Sequence, residues 1–80
     1  MKGLHMRLEE LFSAVLEVPS DALSDETGPA NLKSWDSLRH IKLISAMEEI
    51  YGVTFSTAEI KSLKSVGVAR RALAGRGVAA

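Results

Sequence analysis

Eighty residues make one small domain with a limited core. Ten basic and ten acidic side chains cancel, and with no cysteine neither a disulfide nor a cysteine-ligated metal is available. No apolar run approaches the length of a membrane span.

The start, Met1 to His5, runs directly into a helical pattern with Glu9 and Glu10, which is not the form of a signal peptide. A cytoplasmic protein is the expectation. Leu4, Leu8, Leu11, Phe12, Val15 and Leu16 recur at helical spacing and predict a first amphipathic helix over about residues 3 to 17. Pro19 ends it. Residues 18–36 hold Pro19, Gly28, Pro29 and a scatter of Ser, Asp, Thr and Asn, which reads as a long loop. Val18, Leu23, Leu32 and Trp35 are expected to pin it to the core, with a helical turn near Ser20 to Leu23.

A second helix is predicted from Ser37 to Tyr51, with Asp36 as N-cap and Gly52 as the stop. Its apolar stripe is Leu43, Ala46, Met47 and Ile50. Ser56-Thr57-Ala58-Glu59 fits a capping box and starts a short third helix. Ser65 caps a fourth, with Val66, Ala69, Ala72 and Leu73 inward, and Gly75 and Gly77 end it. The last few residues are expected to fray. Val53-Thr54-Phe55 is too short for more than a connector. The expected fold class is all-α: a single domain over residues 1–80, a four-helix bundle with a short third helix and a long loop between helices 1 and 2.

The charge is uneven. Residues 1–60 carry five bases and ten acids; residues 61–80 carry Lys61, Lys64, Arg70, Arg71 and Arg76 and no acid. The plain reading of that segment is a solvated helix face with cations near a helix C-terminus. A helical nucleic-acid-binding module is a remote alternative, disfavoured by a pI near 6.7 and by the absence of a concentrated basic recognition helix.

The chemistry concentrates at Trp35-Asp36-Ser37-Leu38. Ser37 would stand at the first position of the second helix, where free backbone N–H groups and the positive end of the dipole favour an attached phosphate. Arg39, His40 and Lys42 follow within two turns, while Glu48 and Glu49 lie near the other end. Asp36, Ser37 and His40 are close enough to raise a hydrolase triad. Asp36 is better placed as a cap, and His40 is expected to be partly exposed, flanking a phosphate. With two histidines and no cysteine, no metal site is expected.

The run Trp35-Asp36-Ser37-Leu38-Arg39-His40-Ile41-Lys42-Leu43-Ile44, followed by Met47-Glu48-Glu49-Ile50-Tyr51-Gly52-Val53-Thr54-Phe55 and by Ser65-Val66-Gly67, resembles the acyl carrier protein family over nearly the whole chain. The resemblance implies that Ser37 carries 4′-phosphopantetheine, taken from coenzyme A, through a phosphodiester, with Asp36 as the helix cap beside it. The arm's thiol would hold acyl or aminoacyl groups as thioesters, so the chain would be a carrier and not an enzyme. The resemblance also makes the second helix the docking surface, through Leu38, Arg39, Ile41, Lys42, Ser45, Glu48 and Glu49. Ile41 either anchors partners there or turns partly inward. Implied partners are a phosphopantetheinyl transferase, an acyl-loading ligase or transferase and downstream synthases, with no nucleic acid and no membrane span, on a monomer. Phe12, Ile44, Met47, Phe55 and Leu63 are candidate walls for a transient acyl cleft, and otherwise core. Carriers of bulk fatty acid synthesis are strongly acidic along this helix. Arg39 and Lys42 depart from that, which points to a specialised lipid or secondary-metabolite pathway; an aminoacyl or peptidyl carrier of a nonribosomal-type pathway is the alternative.

Overall fold

The computed structural model of the chain describes residues 6–78. The expected helix start at residue 3, with Leu4 and His5, and the final residues 79–80 lie outside that range; within it Met6 and Arg7 are not helical, so the first helix begins at Leu8, later than expected, with Arg7 as its extended N-cap. Four α-helices follow in order: α1 (Leu8–Leu16), α2 (Ser37–Tyr51), α3 (Thr57–Ser62) and α4 (Val66–Ala74). A 3-10 turn, Ser20–Ala22, lies in the loop after α1, and there is no strand among the described residues. No helix there is long and apolar enough to cross a membrane. The radius of gyration is 11.6 Å, that of a folded chain of this length.

Helix α1 buries Leu8, Leu11, Phe12 and Leu16, one stripe at spacings of three and four, and packs along α2. The Glu10 carboxylate accepts from the Arg7 backbone N–H at 3.1 Å, closing the first turn. The helix stops earlier than Pro19 demands. Glu17 adopts the left-handed conformation (φ 59°), its N–H and that of Val18 both reach the Ser13 carbonyl, and the Ser13 hydroxyl donates to the Val18 carbonyl.

Helix α2 runs over the span its sequence predicts. The Asp36 carboxylate accepts from the Arg39 N–H at 2.9 Å, and Gly52 takes a left-handed φ of 67° at the other end. Leu43, Ile44 and Met47 are buried, with Ala46 and Ile50 packed at the edge. At α3, Ser56 Oγ accepts from the Glu59 N–H and the Glu59 carboxylate accepts from the Ser56 N–H, the reciprocal pair of a capping box. At the end of α4, Gly75 keeps a right-handed φ of −64°, so the chain turns instead at Gly77 (φ 78°).

The long loop is ordered by contact with α4. The first two N–H groups of α4, on Val66 and Gly67, donate to the carbonyls of Thr27 and Asp25, each at 2.9 Å, and the Ser65 hydroxyl takes the third, from Val68. All three are groups a helix leaves open at its start. Within the loop, Asn31 accepts from the Gly28 N–H and donates to the Glu26 carbonyl. Trp35 is buried, while Val18, Leu23 and Leu32 pack partly buried against the core, so all four pins hold.

The basic segment is used structurally at two positions. Arg70 pairs with Glu9 of α1 and Asp25 of the loop. Arg76 pairs with Glu59, donates to the Thr54 carbonyl and lies 4.8 Å from the Phe55 ring centroid. Lys61, Lys64 and Arg71 are exposed, as the plain reading of the segment expected, and Arg70 and Arg76 add ties to the rest of the fold.

Candidate functional site

Ser37 is exposed at the first position of a 15-residue helix. Asp36 holds the Arg39 N–H, and the Asp36 carbonyl accepts from the His40 N–H at 2.8 Å, the first bond of the helix. The N–H groups of Ser37 and Leu38 therefore stand at the positive end of α2 without an intrahelical acceptor.

Beside Ser37 opens a cleft of about 620 Å³. Pro29 and Ala30 of the loop form one side, Asp36, Ser37 and Ile41 another, and Lys61, Leu63 and Lys64 the third. Trp35 and His40 make its floor. Lys61 and Lys64 are exposed and have no ion-pair partner among the described residues, whereas Arg39, Arg70 and Arg76 all do.

The floor is hydrogen-bonded throughout. The Trp35 indole N–H donates to His40 Nδ1 at 3.0 Å, and His40 Nε2 lies 2.8 Å from the Ile60 carbonyl. An indole N–H only donates, so Nδ1 accepts and the proton of the neutral ring sits on Nε2, donating to Ile60. The two rings stack with centroids 6.1 Å apart, and Phe12 meets the far side of Trp35 edge-on at 5.4 Å. His40 thus joins the loop, α2 and the end of α3. It is part-buried, as the sequence suggested, and it lines the same cleft as Ser37. With both ring nitrogens engaged and Asp36 on Arg39, neither residue is turned to activate Ser37 as a nucleophile. The sequence reading placed Trp35 in the motif and as a pin to the core, without a hydrogen-bond partner. The missed signal was a donor-only indole five residues before a histidine that can accept.

The helix face proposed for docking divides. Leu38 and Ile41 are 64% and 56% exposed, large apolar side chains in water, so Ile41 faces out and not inward. Lys42, Ser45 and Glu49 are exposed with them. Arg39 is turned back: its Nε donates to the Val15 carbonyl at 3.2 Å, and its guanidinium lies 3.4 Å from Glu17 and 3.8 Å from Asp36. It ties the start of α2 to the end of α1. Glu48 accepts from the Phe55 N–H at 2.9 Å and organises the turn after α2. Neither stands free on that face.

Phe12, Ile44, Met47, Phe55 and Leu63, considered as acyl-cleft walls, are all core, at 5% exposure or less. The space among Phe12, Trp35, His40, Leu43, Ile44, Met47, Leu63 and Ala69 leaves no room for a water molecule.

Further from the cleft, the titration of two carboxylates is shifted. Arg76 and the Ser56 N–H hold Glu59 down to about 2. A backbone hydrogen bond, reinforced by Arg70, holds Glu9 below its ordinary value. Burial, with Glu9 nearby, raises Tyr51, whose hydroxyl donates to the Met6 carbonyl at 2.7 Å. None of these groups lines the cleft.

No protein-family model matches the chain, and no curated protein matches it.

Proposed function

We propose that the chain is an acyl carrier protein: it bears a 4′-phosphopantetheine arm on Ser37 and presents acyl or aminoacyl groups to partner enzymes. The observation that carries this reading is an exposed hydroxyl at the mouth of a long helix, with an open cleft beside it and no general base turned toward it. Such a serine suits modification better than attack.

The residues present fit the arm. Asp36 occupies only the Arg39 N–H, so those of Ser37 and Leu38 remain to meet a phosphate at the positive helix end. Pro29, Ala30 and Ile41 offer apolar surface next to the attachment point, with buried Leu63 behind them, and Lys61 and Lys64 leave the cleft rim cationic. The bound group supplies a thiol that holds cargo as a thioester, on a tether that raises its concentration at a docked enzyme. The protein's own part is to anchor, orient and be recognised.

Recognition falls to Leu38 and Ile41 as apolar anchors, with Lys42, Ser45 and Glu49 around them. In this reading the four helices form a four-helix bundle, monomeric and cytoplasmic, and the partners are a phosphopantetheinyl transferase, a loading ligase or transferase, and synthases. Arg39 is spent on α1, so Lys42 carries the departure from an acidic docking helix. That favours dedicated partners in a specialised lipid or secondary-metabolite pathway.

The test is modification by a phosphopantetheinyl transferase with coenzyme A. One phosphopantetheinyl group per chain is expected on the wild type and none on Ser37→Ala, which keeps its helical circular dichroism.

A further inference from the structure

The surface cleft and the interior share a wall. Trp35, His40 and Leu63 line both the cleft beside Ser37 and the packed space over Phe12, Leu43, Ile44, Met47 and Ala69. Leu63 is the apolar part of that wall, and the rest is hydrogen-bonded. The Trp35 indole has one N–H and spends it on His40 Nδ1; His40 spends its other nitrogen on the Ile60 carbonyl. Trp35 is 3% exposed, so water does not replace that bond if it breaks. A hydrocarbon chain that enters the core between Trp35 and His40, or between His40 and α3, breaks one of these bonds. It offers no hydrogen bond in exchange, and the opened groups face apolar surface. The outer cleft sets no such condition. Its apolar walls are open, and Lys61 and Lys64 at its rim suit a polar or charged end.

We infer that the Trp35–His40–Ile60 bridge is a gate that bars a long acyl chain from the core, and that the group carried on Ser37 is short or polar and stays in the surface cleft. The cargo half of this rests on the carrier reading; the gate does not.

The experiment charges the chain from acetyl- and dodecanoyl-coenzyme A with a phosphopantetheinyl transferase, confirms loading by intact mass, and follows thioester cleavage by hydroxylamine. The wild type is expected to lose both groups at the same rate. In Trp35→Phe/His40→Leu the bridge is apolar, and dodecanoyl is expected to cleave about tenfold more slowly than acetyl, as it slips inside. Slower dodecanoyl cleavage in the wild type, or equal rates in the double variant, overturns the gate. Should the double variant not fold, the Trp35 indole N–H resonance of the wild type decides. It is expected at the same position in acetyl and dodecanoyl forms, and its displacement in the dodecanoyl form overturns the proposal. A chain that takes up no mass sinks the carrier reading instead. The gate is then tested with free dodecanoate on the unmodified chain, where an unmoved indole signal upholds it and a displaced one overturns it.

Discussion

Gly28 and Lys64 lie so close that a Cβ on the glycine would stand 2.0 Å from the Lys64 carbonyl oxygen. Both residues are backbone neighbours of the cleft: Pro29 follows one, and Lys64 itself lines it. The loop is held there by the bonds from Val66 and Gly67 to Thr27 and Asp25. Backbone cannot yield as a side-chain end can, so Gly28→Ala is expected to cost about 2 kcal/mol or more. Chemical denaturation measures it. Gly67→Ala, whose Cβ would meet the Asp25 carbonyl oxygen at 3.0 Å, is expected to cost less.

Ile41 and Leu43 stand two residues apart on α2 and are expected to part company under mutation. Ile41 is 56% exposed and Leu43 is 1% exposed. Ile41→Glu is expected to stay within about 0.5 kcal/mol of wild-type stability while weakening transfer by the modifying enzyme. Leu43→Ala is expected to lose about 2–5 kcal/mol. Thermal unfolding paired with modification kinetics distinguishes them. Unfolding of Ile41→Glu would place that side chain in the core.

Much of this was legible in the sequence, and the legible parts are local. Asp36 and Gly52 bound α2, and Ser56 with Glu59 starts α3, because a cap is satisfied within three or four residues of itself. The loop was legible only as a loop. Its order comes from Asp25 and Thr27 meeting α4 some forty residues on, and composition carries no trace of such a meeting. The placement of Arg39 was illegible for the same reason. Helical position places it beside the other docking residues, but its long side chain folds back to Val15 and Glu17. Gly75 looked as good a stop as Gly77, and only the backbone angles tell them apart.

Acid should loosen the α3–α4 and α1–α4 ties. Arg76 holds Glu59 down to about 2 from an ordinary 4.5, and Glu9 is also lowered. A carboxyl whose folded pKa is depressed binds protons more readily when unfolded. Its contribution is complete above the ordinary value and is lost as pH falls toward the folded one. Wild-type stability is therefore expected to decline from about pH 5 toward pH 2. Glu59→Gln should flatten part of that decline. Melting temperature against pH, for both proteins, checks it; identical profiles would show that the Arg76 tie does not contribute.

The central claim is covalent and concerns one oxygen atom, Oγ of Ser37. The most direct measurement is tandem mass spectrometry on the chain after incubation with coenzyme A and a phosphopantetheinyl transferase. The expected result is a single phosphopantetheinyl group on the peptide spanning residues 34–39, assigned to Ser37 and not to Ser34. A chain that keeps its unmodified mass, or one that carries the group anywhere but Ser37, contradicts the claim.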